Sequence, residues 1–184
     1  DRTAGLVLDG AGNSIVAGTF RGPAAFGSAT LTNDGSQDVF LAKYDRQGAL
    51  VWAKPAGGSG FDTVEDLATD GNGNLYLVGT FQQSVKFGSL TLSNDLFSPS
   101  VYVVKHDSAG LPVWARQMPS GSLLGINASV AVDRTGNVFV AGGFWHSITV
   151  GPFSVTNEIS SGRDLFLAKF DPAGNPAWLT SGQG

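Results

Sequence analysis

The chain has 184 residues, of which 26 are Gly, 15 are Asp or Glu, 11 are Lys or Arg and none is Cys. A formal charge of −4 argues against the basic face that nucleic-acid binding needs, and the lack of Cys excludes disulfides and thiolate chemistry. No apolar run approaches the roughly 18 residues of a membrane-spanning helix, and the length suits one domain with a sizeable core.

Three copies of one unit fill the chain. LVLDGAGNSIVAGTF (Leu6 to Phe20) returns as LATDGNGNLYLVGTF (Leu67 to Phe81) and VAVDRTGNVFVAGGF (Val130 to Phe144). DVFLAKYDRQGALVWAK returns as SVYVVKHDSAGLPVWAR and DLFLAKFDPAGNPAWLT. A weaker anchor lies between them: Phe26-Gly27 with Thr30-Leu31, Phe87-Gly88 with Thr91-Leu92, and Val150-Gly151 with Ser154-Val155. Aligned on these anchors, residues 1–184 form one repeat domain of units 1–61, 62–124 and 125–184.

In chain order, each unit reads as β structure. A short apolar strand, Leu6-Val7-Leu8 in the first unit, runs into Asp9-Gly10-Ala11-Gly12-Asn13, where Asp opens a turn and Gly supplies positive φ. The second strand, Ile15 to Phe20, carries Gly18 near its end, repeated as Gly79 and Gly142; this predicts a bulge or a close backbone approach. The Phe-Gly…Thr-Leu piece then predicts an extra short strand or a hairpin limb. The third strand, Val39 to Tyr44, is apolar almost throughout, the pattern of a sheet covered on both faces. Asp45-Arg46-Gln47-Gly48 predicts a hairpin turn into a fourth strand that holds Trp52, repeated as Trp114 and Trp178. No stretch has capped helical periodicity. The fold class is therefore all-β, three four-stranded antiparallel blades of a β-propeller type, with the β-trefoil as the rival three-repeat architecture.

The combination of D-x-x-G-N, [IYF]-x-V-x-G-x-F, D-x-F-[LV]-A-K-[YF]-D-x-x-G and a following Trp resembles the SBBP-type repeats of bacterial secreted and surface proteins, a seven-bladed β-propeller family. That resemblance implies a propeller fold and a secreted or cell-surface setting in bacteria, and it carries over no catalytic residue. Propellers typically have four to eight blades. Three blades therefore lead to the expectation of a fragment of a larger propeller, or of a piece that self-associates into a ring.

Few residues point to chemistry. His106 stands where Tyr44 and Phe170 stand and reads as a packed ring; His146 follows Trp145 in a loop that differs between units. Asp70-Gly71-Asn72-Gly73-Asn74 resembles the start of a calcium loop, but position twelve is Phe81 rather than a bidentate Glu, so a hairpin turn is the expected reading. Lys43, Lys105 and Lys169 recur in the third strand, where the stem packs along the sheet and the ammonium seeks a carboxylate or solvent. Repeat-phased Trp52, Trp114 and Trp178 are packing residues, whereas Trp145, His146 and Phe97 break the repeat and are the candidate ligand-binding positions.

The leading functional reading is a non-enzymatic module that displays variable loops for protein or glycan binding and adhesion. It implies no cofactor, no metal and no catalytic residue. The rival from another class is a polysaccharide hydrolase or lyase using Asp62, Glu65 or Asp66, which needs a carboxylate pair facing one cavity with a raised pKa. A third reading is a structural spacer.

Overall fold

The computed structural model describes residues 1–94, 99–122, 127–157 and 162–182, and all regular structure among them is β. The first unit contains β1 (Arg2–Leu8), β2 (Ser14–Phe20), β3 (Ala24–Phe26), β4 (Ala29–Leu31), β5 (Asp38–Tyr44) and β6 (Leu50–Ala56). Its main sheet runs β1-β2-β5-β6, antiparallel throughout, with β3 and β4 forming a separate hairpin. The second unit repeats this plan with β7 (Asp66–Thr69), β8 (Leu75–Phe81), β9 (Ser84–Phe87), β10 (Leu90–Ser93), β11 (Ser100–His106) and β12 (Pro112–Met118). After β13 (Ser120–Ser122), the third unit has β14 (Ser129–Val132), β15 (Val138–Val150), β16 (Phe153–Thr156), β17 (Asp164–Phe170) and β18 (Pro176–Gly182). Four strands of one unit thus form one antiparallel sheet, with a separate hairpin inserted between its second and third strands, which is a propeller blade rather than a trefoil lobe. The Phe-Gly…Thr-Leu segment supplies both limbs of a hairpin, in the third unit by the far half of β15 pairing with β16.

Blades stack face to face. The inner strands β1, β7 and β14 lie side by side, tied by Thr69 Oγ1 donating to the Leu8 carbonyl (3.2 Å) and Val130 N–H donating to Asp66 Oδ2 (2.9 Å). Between blades 1 and 2 the pleat alternation buries Ile15, Ala17, Val39 and Leu41 against Leu75, Leu77, Tyr102 and Val104. Between blades 2 and 3 it buries Tyr76, Val78, Val101 and Val103 against Val138, Val140, Phe166 and Ala168. Stacked sheets diverge outward, and hairpin β9–β10 enters the widening wedge between blades 1 and 2: Phe87 of β9 rests on Tyr102, at 4.9 Å between ring centroids, and β9 also meets β6 of the blade before.

The repeated Gly of the second strand marks a close approach. A Cβ on Gly79 would lie 2.0 Å from the Thr63 carbonyl oxygen and 2.7 Å from the Tyr102 hydroxyl, which itself donates to that carbonyl at 2.7 Å. Each fourth-strand Trp covers the turn of the next blade. Trp114 lies flat against Gly174, and its indole N–H donates to the Pro172 carbonyl (3.1 Å) while Arg116 Nε donates to the Gly174 carbonyl (2.7 Å). Trp52 reaches Gly110 with the outer edge of its six-membered ring. Trp178 departs from the expected packing role: it is 36% exposed, against 6% for Trp114, because no turn covers it.

Candidate interaction face

Strand register divides the molecule into two ends. Ser14 pairs with Tyr44 and Phe20 with Asp38, so the two Asp-x-x-Gly turns of a blade share one end and the long connections share the other. One device recurs in six turns at this end: the Asp Oδ1 accepts the backbone N–H groups two and four residues on. In four of them an Asn amide also donates to Oδ2, and Asp70 Oδ2 further accepts the Tyr76 hydroxyl (3.0 Å). Both carboxylate oxygens of Asp70 are therefore used inside the hairpin, as the turn reading of Asp70 to Asn74 expected. Burial raises the Asp70 pKa, but these donors outweigh it and hold the carboxyl below its usual range.

The recurring lysines follow the residue paired across from them. Lys43 stands opposite Ile15, which leaves it free to reach Asp9 at 2.8 Å, the one ion pair among the described residues. Lys105 stands opposite Tyr76 and Lys169 opposite Phe139; each ammonium lies over that ring, at 5.3 and 5.4 Å from the centroid.

The loop end is where the units differ. Beside β1 a cleft of about 360 Å3 is lined by Arg2, Arg21, Gln37, Phe61, Thr63 and Glu65. Arg21 lies over the Phe61 ring (5.7 Å) and its Nε donates to Gln37 Oε1 (3.2 Å). Glu65 accepts from the Thr63 hydroxyl (3.0 Å). The three carboxylates of the hydrolase reading do not converge on this cleft. Asp66 is spent on the N–H groups of Leu67 and Val130, and Asp62 is fully buried with Oδ2 accepting the Gly58 N–H (2.8 Å). Burial, together with the charge of nearby Asp38, pushes the Asp62 pKa up to about 7. That raised value belongs to a closed junction rather than to an open cavity.

Trp145 and His146 sit inside β15, not in the loop the sequence predicted, because β13 pairs with this stretch: Ser122 opposes Trp145 and Ser120 opposes Ile148. Trp145 is half-buried, with its indole nitrogen buried and unpartnered, and the His146 side chain is exposed. His146 has φ 64°, and its repeat equivalents Gln83 and Gly22 have 61° and 74°. The left-handed residue is thus a corner of the blade plan, which glycine would fill without steric cost. Phe97 lies outside the described residues. Sequence reasoning missed Arg21, although its repeat equivalents Gln82 and Trp145 differ in kind beside the constant Phe20, Phe81 and Phe144; that contrast was the available signal.

The fold defines a β-propeller-type repeat protein with Asp-x-x-Gly hairpins at one end and the long connections at the other. No family model matches the chain. It is 27% identical over 175 residues to the WD repeat-containing protein L264 of Acanthamoeba polyphaga mimivirus, an alignment covering 77% of this chain and 12% of that protein. The chain thus spans about an eighth of the length of this relative, which is described as WD repeat-containing.

Proposed function

We propose that this chain is a non-enzymatic propeller module that binds a protein partner through its loop end. The observation that carries the reading is the division of labour between the ends: six turns repeat one Asp-based hydrogen-bond pattern, while Arg2, Arg21, Phe61, Glu65 and His146 differ from their counterparts in the other units. Rigid repeats with variable loops at one end are the arrangement binding scaffolds use. Kinship with a WD repeat protein supports a protein ligand over a glycan. A secreted or cell-surface setting belongs to this proposal and rests on the SBBP-like motifs alone.

The outer faces enter the same reading. Leu165, Leu167 and Trp178 of blade 3 are exposed where their repeat equivalents Val39, Leu41 and Trp52 pack on the following blade; Leu6 of blade 1 is exposed where Leu67 is buried. A blade of the same repeat fits both faces, from further along a longer chain or from a second copy. Light scattering of the 184-residue chain reads the second-copy case directly: a mass near twice 19.0 kDa supports it, and a monomer across a dilution series rejects it.

The test of the binding reading is a pair of variants on protein and glycan arrays. Arg21→Glu with Phe61→Ala and His146→Ala alters the loop end, and Arg134→Glu alters the turn end. Protein spots that bind the parent should lose the loop-end variant and keep the turn-end variant. Equal binding of both, or glycan spots alone, overturns the reading.

A further inference from the structure

The groove between blades 1 and 2 is hollow beside Ala56, where the equivalent position of the next groove holds Met118. Beside β6 lies a cavity of about 400 Å3, closed by hairpin β9–β10 and by the turn between β11 and β12. Leu41, Pro55, Phe87, Leu111 and Pro112 form its apolar wall, with Ala56 and His106 among the remaining lining residues. The repeat supplies an internal control. Between blades 2 and 3, the positions of Ala56 and His106 are held by Met118 and Phe170, both fully buried. The same architecture thus fills the Met118 position of one groove with a large side chain and leaves the Ala56 position of the other open.

Polar groups sit at the two ends of this cavity. His106 is 4% exposed, yet its Nδ1 has no hydrogen-bond partner; Asp38 is 3% exposed, yet its Oδ1 has none. A buried polar atom left unpaired is destabilising, and a ligand supplying the missing partner removes that cost. Burial, and secondarily the charge of Lys54, lowers the His106 pKa to about 4, so the ring is neutral at pH 7. Lys54 lies over the Trp52 ring at 5.9 Å and forms no ion pair. At the other end, Asp34 joins Asp38 beside Gly57, whose backbone bridges to Lys86 at the rim. From Lys54 to Gly57 is three strand residues, roughly 10 Å at about 3.3 Å each. Lys54 at one end, and two carboxylates with Lys86 at the other, therefore flank an apolar middle.

We propose that this cavity binds a free peptide of two or three apolar residues as a zwitterion, its carboxylate toward Lys54 and His106 and its ammonium toward Asp34 and Asp38. The opposite charges of Lys54 and of the Asp34–Asp38 pair suit the two termini of such a peptide, and the apolar wall takes its side chains.

The test is titration of the 15N-labelled protein with Leu-Leu, N-acetyl-Leu-Leu and Leu-Leu amide. Leu-Leu should shift the amide resonances of Ala56, Gly57, Phe87 and Gly110 saturably, and each blocked form should bind at least about tenfold more weakly, the loss expected when one charge-assisted contact goes. Ala56→Met, which copies the filled groove, should abolish the shifts while the far-UV spectrum stays that of the parent. Lys54→Met, an edge-strand change that leaves the cavity open, should bind Leu-Leu and its amide equally. No saturable shift with Leu-Leu overturns the proposal. So does binding that survives Ala56→Met, or equal binding of all three ligands.

Discussion

Asp62 and His106, both buried at the first inter-blade junction, should pull stability in opposite directions as pH changes. Asp62 titrates near 7 in the folded chain, chiefly through burial and then through the charge of Asp38. An unfolded Asp titrates near 3.9. Between those values the unfolded chain releases a proton that the native chain keeps, so stability is full below about pH 4 and falls as pH rises toward 7, by up to about 4 kcal/mol. Asp38, also raised by burial, acts with the same sign. His106 titrates near 4 when folded and near 6.5 when unfolded. Its contribution is full above about 6.5 and is lost as pH falls toward 4, by up to about 3 kcal/mol. Across pH 4 to 6.5 the slopes of Asp62 and His106 oppose and partly offset each other, and Asp38 tilts the parent chain toward falling stability as pH rises. Asp62→Asn should leave stability rising with pH across that window. His106→Phe, the residue found at the equivalent Phe170, should leave it falling from pH 4 to 7. Asp9 and Asp70, held low by their hydrogen bonds against burial, act on stability only below about pH 4 and do not enter this window. Urea unfolding followed by tryptophan fluorescence, in half-unit steps from pH 4 to 8, reads all three curves. If Asp62→Asn runs parallel to the parent, Asp62 is not the buried proton carrier described here.

Two further outcomes follow from packing. Trp114→Ala should cost about 3–5 kcal/mol, because it empties a 6%-exposed site and strips the Pro172 carbonyl of its donor; Trp178→Ala, at 36% exposure, should cost below about 1 kcal/mol. Equal losses in denaturant midpoints would show that the fourth-strand Trp does not act by covering the next blade. Gly79→Ala should destabilise by about 3 kcal/mol or more, since its Cβ would press on the Thr63 carbonyl and the Tyr102 ring, which hydrogen-bond each other. A thermal midpoint within a degree or two of the parent would contradict that close approach.

The repeat itself made the blade legible. Spacing of Asp9, Asp70 and Asp133 set the first turns, the apolar runs at Val39, Val101 and Leu165 set the central strands, and the Asp-x-x-Gly pairs set the hairpins, because each depends on local backbone chemistry and on a period of two. Single residues carried the rest less well. The sequence gives Lys43, Lys105 and Lys169 one identity, yet only Lys43 makes an ion pair, since the residue across the ladder is Ile15 in one blade and an aromatic ring in the others. Trp145 and His146 read as loop residues because the pairing that places them in a strand comes from Ser120 to Ser122, outside the repeat pattern. Tertiary structure alone decided which of three equivalent Trp residues is covered, that Asp62 and Asp38 lose water together, and that the groove beside Ala56 is open while its counterpart at Met118 is closed. The physical reason is the same in each case: local sequence specifies a strand and its turn, whereas burial and charge coupling depend on what the neighbouring blade brings within a few ångströms.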